Sequence, residues 1–248
     1  MSTRRASPPP YGTLIFDCDS TLSTIEGVEH LPRAREETVH DLTERAMNGE
    51  LPLEAVYGAR LELIRPTRDE VSAVGRRYVQ TLVPGTRELF AALRFLAKRL
   101  CIVSGGLLPA VLTLGRELGL ALADVQAVDI FHDERGAYTG FDEASPLTRA
   151  GGKLEVLRAL SRRPDARPPL ALVGDGATDL EAAPACARFV AFGGVARRAA
   201  VFAGADVTCD VLDMAALLPL LVSHEELARL ADSDLHRPLC RAALTHRH

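Results

Sequence analysis

Three short apolar runs in the sequence each end in acidic or glycine-marked residues. They end, in turn, in Asp17-Cys18-Asp19-Ser20-Thr21, in Ser104-Gly105-Gly106 and in Gly174-Asp175-Gly176-Ala177-Thr178-Asp179. Carboxylates brought together in a small cleft repel one another unless a cation lies between them. Oxygen ligands suit Mg²⁺, which binds few carboxylates and also takes phosphate oxygens. The spacing therefore indicates a magnesium site that accepts a small phosphorylated molecule.

The same residues could supply a nucleophile, a proton donor and phosphate-binding groups. Asp17 would attack phosphorus to give an acyl phosphate. Asp19, two residues on, can lie on the same side of an extended backbone, where it would protonate the leaving alcohol and then activate water. Lys153 would offset part of the phosphate charge of about −1.5 to −2. Ser104 and the backbone N–H groups of the glycine turns would hold the phosphate oxygens.

Strands that alternate with helices would bring these residues together. Apolar runs predict strands at 13–16, 100–103, 170–173 and 189–192, and a strand, turn and return strand over 124–141. Periodic patterns predict helices at 86–98, 107–118, 152–162, 178–187, 195–203 and 211–222. This order is typical of an α/β fold with a parallel sheet and helices on both faces. Ligands bind such sheets beyond the carboxyl ends of the strands.

Residues 23–80 have a different pattern, with spaced apolar residues among Glu and Arg and no strand-like run. We expect three helices here, at 34–47, 52–64 and 69–80. The predicted organisation is a disordered tail (1–10), a core domain (11–22 and 81–222), a helical cap domain inserted after the first strand (23–80) and a C-terminal extension that adds helix (223–248).

The acidic motif Asp17-Cys18-Asp19-Ser20-Thr21 resembles the DxDST motif of the haloacid-dehalogenase superfamily of phosphatases. Ser104, Lys153 and the 174–179 motif match its later motifs in order. The resemblance covers residues 13 to 222 and implies a Rossmann-like core with a small helical cap. Further stretches resemble the phosphoserine-hydrolysing branch of that superfamily, namely Ile25-Glu26-Gly27-Val28-Glu29, Ala46-Met47-Asn48-Gly49, Tyr138-Thr139-Gly140-Phe141-Asp142-Glu143, Gly151-Gly152-Lys153 and Phe192-Gly193-Gly194.

The resemblance also implies a role for each matching residue. Asp17, the Asp19 carbonyl and Asp175 would bind Mg²⁺, with Asp17 as nucleophile and Asp19 as acid and base. Asp179 would be a carboxylate behind these ligands. The phosphate would be bound by Ser104, Gly105 and the catalytic Lys153. Glu26 would bind the substrate ammonium and Arg60 the substrate carboxylate, and Met47, Gly105 and Thr178 would line the pocket.

Two departures from the branch leave the substrate open. Asn48 stands where Gly is common, and Ile25 where a second acidic residue is common. O-phosphoserine hydrolysis is the leading hypothesis. The alternatives are another phosphorylated metabolite, phosphoryl transfer to an alcohol, and a phospho-ligand binding protein without catalysis. A thiol phosphatase would need Arg six positions after its cysteine, and Thr24 and Leu107 stand at those positions for Cys18 and Cys101.

Composition excludes several other classes. The net charge is −4 without a basic field, so we expect no nucleic-acid or membrane partner. The five cysteines are odd in number and form no CxxC pair, which argues against a disulfide framework or a zinc site and favours a cytoplasmic location. Residues 1–10 do not fit a signal peptide, and no apolar run approaches the roughly 20 residues of a membrane helix. The expected partner is a small phosphomonoester, with a homodimer as a possible assembly.

Overall fold

Six strands form one parallel sheet, and two further strands pair antiparallel in a separate hairpin. The computed structural model describes residues 10–34, 39 and 53–246. The strands are β1 (Thr13–Phe16), β2 (Arg99–Leu107), β3 (Val125–Val128), β4 (Ile130–His132), β5 (Tyr138–Phe141), β6 (Leu170–Gly174), β7 (Arg188–Phe192) and β8 (Val207–Cys209). Their order in the sheet is β3-β2-β1-β6-β7-β8, and β4 pairs with β5 in the hairpin.

Helices flank this sheet on both faces. The α-helices of the described residues are α1 (Leu53–Ile64), α2 (Arg68–Gln80), α3 (Thr86–Phe95), α4 (Leu108–Glu117), α5 (Gly152–Ser161), α6 (Ala177–Ala182), α7 (Ala199–Gly204), α8 (Leu218–Leu221), α9 (His224–Asp232) and α10 (Arg237–Thr245). The larger core contains residues of α3 and α4 on one face, and the smaller core contains residues of α5, α6 and α7 on the other. The predicted α/β fold is confirmed. None of the described helices has the length and apolar character needed to cross a bilayer.

β1 lies between β2 and β6, and all four of its residues are buried. Leu14 and Phe16 pack in the larger core, whereas Ile15 packs in the smaller core on the other face. A strand buried on both faces appears in a sequence as a continuous apolar run. The chain builds the sheet outward from β1 on one side and then from β6 on the other. The strand order therefore reverses between β1 and β6, where a crevice opens in folds of this class.

Several boundaries differ from the sequence predictions. β2 continues through Ser104-Gly105-Gly106 to Leu107, instead of ending at residue 103. The helix predicted at 195–203 begins only at Ala199, and the one predicted at 211–222 is a 3-10 turn followed by the short α8. β8 was not predicted, because an edge strand of three residues is too short to show a period.

The segment predicted as strand, turn and strand divides into two parts. β3 joins the edge of the main sheet, and β4 turns back through Gly136 to pair with β5. Gly136 has a φ of 82°, a conformation that glycine adopts without steric cost.

The two connections between the sheet and residues 24–81 run side by side, because Ser23 pairs antiparallel with Leu82. The helices predicted at 52–64 and 69–80 correspond to α1 and α2. Thr67 caps α2 by accepting from the Glu70 N–H, and the Glu70 carboxylate accepts from the Thr67 N–H in return. The helix predicted at 34–47 lies outside the described residues, apart from Ala34 and Val39. The division into core and cap stays a prediction.

The predicted helix in the C-terminal extension is present as α9 and α10, which pack on the end of α3. Lys98 forms a buried ion pair with Glu226, and the His236 ring lies 5.0 Å from that of Phe95. Leu230 and Leu239 join the larger core. The extension therefore completes the hydrophobic core at a distance from the ends of β1 and β6.

Candidate active site

A cleft of about 260 Å³ opens at the carboxyl ends of β1, β2 and β6. It is bordered by nine of the eleven residues that the sequence marked, namely Asp17, Asp19, Glu26, Arg60, Ser104, Gly105, Lys153, Asp175 and Thr178. Asp179 is fully buried next to Lys153. Met47 lies outside the described residues.

Asp17 directly follows β1 and is oriented by two donors. Its Oδ1 accepts from the Cys18 N–H at 2.7 Å, and its Oδ2 lies 3.1 Å from Lys153 Nζ. The carboxylate is almost buried, yet it borders the cleft. A carboxylate held in this way is a fixed anionic oxygen at the position where the central strand ends.

Lys153 lies between two carboxylates near the start of α5. Its Nζ donates to Asp179 Oδ1 at 2.7 Å as well as contacting Asp17. Burial alone would lower the Lys153 pKa, but the negative charges of Asp17 and Asp179 outweigh it and raise the pKa above its ordinary value. Lys153 is therefore a permanently charged group inside the cleft.

Asp179 fixes Lys153 from the buried side, away from the cleft. Its Oδ2 accepts from the Gly176 N–H at 3.0 Å, and its side chain lies directly against Gly174. A Cβ atom at position 174 would come within 2.2 Å of the Asp179 carboxyl carbon. Glycine at the end of β6 is thus required for the buried Asp179–Lys153 pair.

Asp175 is held by one donor from each side. Its Oδ1 accepts from the Thr21 hydroxyl at 3.0 Å, and its Oδ2 accepts from Arg198 Nε at 3.0 Å. Burial, together with the negative charge of Asp17, raises the Asp175 pKa to about 6. Like charges are therefore crowded at this point of the cleft.

The crowded carboxylates form a site at which a bound cation would offset their negative charge. One carboxylate oxygen from each of Asp17, Asp175 and Asp179 lies within 4.8 Å of the others. Asp17 and Asp175 border the cleft, whereas Asp179 is fully buried behind Lys153, so Asp17 and Asp175 are the two carboxylates that a cation in the cleft could reach. The donor set contains only oxygen, which is the ligand type that hard divalent cations prefer.

Asp19 also borders the cleft, and one of its oxygens is fully engaged. Oδ1 accepts from the Gly27 N–H and from the Tyr78 hydroxyl, each at 2.6 Å. Oδ2 lies 3.4 Å from the Ser104 hydroxyl oxygen. Burial and the negative charge of Glu26 raise the Asp19 pKa to about 7. A carboxyl group with this pKa can donate and accept a proton near neutral pH.

The strand β2 brings Ser104 and Gly105 to the cleft. The Ser104 oxygen accepts from the Gly106 N–H at 3.0 Å, which fixes the side chain, and the Gly105 carbonyl accepts from the Tyr57 hydroxyl at 2.9 Å. Tyr57 belongs to α1, so this bond joins the segment after β1 to the sheet. Thr178 borders the cleft from the start of α6.

Glu26 and Arg60 lie on the side of the cleft formed by residues 26–29 and α1. Glu26 Oε1 accepts from the Ser20 hydroxyl at 2.6 Å and from Arg198 at 3.3 Å. Burial, followed by the charge of Asp17, raises the Glu26 pKa. Arg60 Nε is buried and has no hydrogen-bond partner among the described residues. Burial lowers the pKa of its guanidinium.

Five further side chains, to which the sequence assigned no role, donate hydrogen bonds to residues that border the cleft. Ser20 and Thr21 lie inside the acidic motif, and Arg198 follows the Gly193-Gly194 turn, so a signal was present nearby. Tyr57 and Tyr78 gave none, because an aromatic residue in an amphipathic helix has the pattern of ordinary core.

Four of the five cysteines are buried, and Cys186 is half-buried. All five are free thiols. Burial raises the pKa of the Cys18 thiol, as do the neighbouring charges of Asp19 and Asp17. Burial likewise raises the pKa of Cys101 to about 12. Neither thiol is a reactive nucleophile at neutral pH.

Known proteins are similar to this chain in sequence and in fold. The family model described as haloacid dehalogenase-like hydrolase matches residues 14–184. A Mus musculus protein named phosphoserine phosphatase is 36% identical over 181 residues, 72% of this chain and 80% of the mouse protein. The Homo sapiens phosphoserine phosphatase is 35% identical over the same shares of both chains.

The fold is similar to that of a solved structure described as a phospho-aspartyl intermediate analogue of phosphoserine phosphatase. The TM-score is 0.70 at 24% identity, over 86% of this chain and 100% of the other. The family-model match covers most of the parallel sheet and both acidic motifs, and the mammalian relatives match over most of their own length. This chain belongs to the haloacid dehalogenase-like hydrolases.

Proposed function

We propose that this chain hydrolyses O-phosphoserine to serine and phosphate through an aspartyl-phosphate intermediate on Asp17. The observation that carries the choice of substrate is the buried Arg60 Nε, which lacks a partner among the described residues. An unsatisfied buried donor costs about 1–3 kcal/mol. A substrate carboxylate would remove that cost, because the planar guanidinium matches a carboxylate.

The rest of the cleft fits the other two charged groups of phosphoserine. Lys153 and the Ser104 hydroxyl face the space next to Asp17, where a phosphate group would lie. Glu26 supplies a carboxylate for the substrate ammonium on the side near Arg60. The names of the mammalian relatives support the same substrate.

In the first half of the reaction, the Asp17 carboxylate attacks phosphorus, and the bond between phosphorus and the serine oxygen breaks as the acyl phosphate forms. Asp19 gives its proton to the departing serine oxygen. Lys153 offsets negative charge on the phosphoryl oxygens throughout, and its own position is fixed by Asp179.

In the second half, the ionised Asp19 accepts a proton from a water molecule that attacks phosphorus. The bond between phosphorus and the Asp17 oxygen breaks, phosphate leaves, and both carboxyl groups return to their starting states. The Asp19 pKa of about 7 suits a group that donates in one half and accepts in the other.

The metal in this proposal is Mg²⁺, held by the Asp17 and Asp175 carboxylates and the Asp19 carbonyl. When bound, it would offset charge on the phosphate and on the crowded carboxylates. The residues present fit such an ion, since carboxylate oxygens of Asp17 and Asp175 converge and burial together with the charge of Asp17 raises the Asp175 pKa.

The test is phosphate release from a panel of phosphorylated metabolites that includes phosphoserine, in Mg²⁺ and in EDTA. Mg²⁺-dependent release that is strongest for phosphoserine is the expected result. Stronger release from another ester would overturn the substrate and keep the chemistry. The absence of release from every ester would overturn the hydrolase proposal.

A role in serine biosynthesis, a cytoplasmic location and a homodimer belong to the same proposal. Each needs its own measurement, such as growth of a serine auxotroph carrying the gene, the location of a tagged chain, and light scattering of the purified protein. The net charge of −4 supports the absence of a nucleic-acid partner.

A further inference from the structure

Tyr78 is a buried aromatic residue whose hydroxyl group reaches Asp19, behind the surface of the cleft. It lies in the last turn of α2 and is 1% exposed. Its hydroxyl donates to Asp19 Oδ1 at 2.6 Å, across 59 positions of sequence. This hydrogen bond joins the last turn of α2 to a carboxylate that borders the cleft.

The Asp19 carboxylate has a second close donor, which comes from the loop after β1. The Gly27 N–H donates to the same Oδ1 at 2.6 Å. A Cβ atom at position 27 would lie 1.9 Å from the Tyr78 hydroxyl oxygen, so only glycine leaves room for both donors. Gly27 and Tyr78 thus hold Asp19 together, one from the loop after β1 and one from α2.

Two donors on Oδ1 leave Oδ2 as the oxygen that can carry a proton. In a protonated carboxyl group, the oxygen that accepts two short hydrogen bonds is the carbonyl oxygen, and the proton lies on the other. Oδ2 lies 3.4 Å from the Ser104 hydroxyl oxygen, on the cleft side of Asp19. The geometry therefore determines which oxygen would meet the leaving group.

We propose that Tyr78 is a positioning residue for proton transfer, which holds Asp19 so that Oδ2 presents the proton to the departing oxygen of the substrate. This inference rests on the proposed function, since it assumes that Asp19 is the acid. Tyr78 itself does not touch the substrate and acts through Asp19.

The experiment compares two esters in Tyr78→Phe, which keeps the ring and removes only the hydroxyl. With enzyme in excess, the release of the leaving group reports the first half of the reaction alone. Serine leaves phosphoserine only with a proton, whereas p-nitrophenolate leaves p-nitrophenyl phosphate without one. We expect release of serine to slow about ten-fold or more, and release of p-nitrophenolate to slow far less.

Tyr138→Phe is the matched control. It removes another hydroxyl-to-carboxylate bond, from Tyr138 to Glu62 at 3.0 Å, at a place that does not border the cleft. Its ratio of the two release rates should equal that of the wild type. A Tyr78→Phe variant that slows both esters equally, or neither, would overturn the positioning role.

A double variant excludes a packing effect. In Asp19→Asn there is no transferable proton, so the addition of Tyr78→Phe should not change the ratio of the two rates further. A further change would mean that Tyr78 acts by another route, and the inference would fail. If wild-type protein releases no serine from phosphoserine, the proposed substrate fails, and the same comparison then uses the alkyl phosphate that the wild type does hydrolyse.

Discussion

The two sides of the cleft differ in how their charged groups are satisfied. The side at the strand ends, here called the core side, contains Asp17, Lys153, Asp175 and Asp179, whose partners come mainly from the carboxyl ends of the strands and the helices that follow them. The side formed by residues 26–29 and α1 is here called the cap side, and on it Arg60 Nε is buried without a partner among the described residues. The core side is organised before a ligand arrives, whereas the cap side keeps hydrogen-bonding capacity for one.

The difference separates chemistry from recognition. Groups that must be fixed for phosphoryl transfer are held by buried bonds, which cost no reorganisation during the reaction. A group that must distinguish one phosphate ester from another gains from being satisfied only by the correct ligand. Substitutions on the two sides should therefore have different effects on different esters.

Asp17→Asn should give the largest loss and affect every ester. We expect phosphate release to fall at least about 100-fold, because the amide is a poor nucleophile. The fold should persist, since the amide oxygen can still accept from the Cys18 N–H. Circular dichroism and phosphate release on two unlike esters are the measurements. More than about a hundredth of wild-type activity would exclude Asp17 as the nucleophile.

Asp175→Asn should remove most of the stabilisation that Mg²⁺ gives. A ligand at about 100 times its Kd stabilises the folded state by about 2.7 kcal/mol. We expect Mg²⁺ to raise the melting temperature of the wild type and to leave that of Asp175→Asn almost unchanged. Thermal melts with Mg²⁺ and with EDTA measure this. An equal shift in both proteins would place the cation elsewhere.

Arg60→Ala should weaken phosphoserine hydrolysis about ten- to 100-fold in kcat/KM, because a hydrogen bond to a charged group is worth about 1.5–3 kcal/mol. An aryl phosphate without a carboxylate should be affected much less. Arg60→Lys should recover only part of the loss, since lysine lacks the planar fork.

The control for Arg60 is Arg76→Ala, which removes an exposed arginine from α2 outside the cleft. Its kinetics should match the wild type on both esters. Equal losses for phosphoserine and the aryl phosphate in Arg60→Ala would remove Arg60 from carboxylate recognition and end the contrast between the two sides.

Arg198→Ala should have the smallest effect, and it should tighten Mg²⁺ binding. The Arg198 side chain is 43% exposed, so its pair with Asp175 is partly screened. A cation at Asp175 competes with the arginine for the carboxylate. Removal of the arginine should therefore lower, about two- to five-fold, the Mg²⁺ concentration at the midpoint of a Mg²⁺ titration. Arg197→Ala, beside it, should leave the midpoint unchanged. A higher midpoint in Arg198→Ala would contradict the competition.

The core side could be predicted from the sequence because its residues follow buried strands directly. Once 13–16 and 170–173 are identified as strands of one parallel sheet, Asp17 and Asp175 must lie at the same edge. Lys153 could be placed there too, from its motif. These are consequences of strand order and short connections, which a linear pattern contains.

The cap side could be predicted only through resemblance. The contacts that Arg198 and Tyr78 make with the residues bordering the cleft could not be predicted at all. Arg198 meets Glu26 across 172 positions, and no local pattern links the two residues. Tyr78 has the spacing of a core residue on α2, and only the three-dimensional position of Asp19 gives its hydroxyl a role. Such contacts depend on how helices pack on the sheet, which periodicity does not specify.

The most direct test of the account is to find the phosphoryl group on the protein. Wild-type protein mixed with phosphoserine and Mg²⁺, and quenched in acid during turnover, should carry one phosphoryl group in the peptide that contains Asp17, as peptide mass spectrometry would show. The same experiment with Asp17→Asn should give none. Phosphate release by the wild type with no phosphoryl group on Asp17, or with one on another residue, would contradict the account.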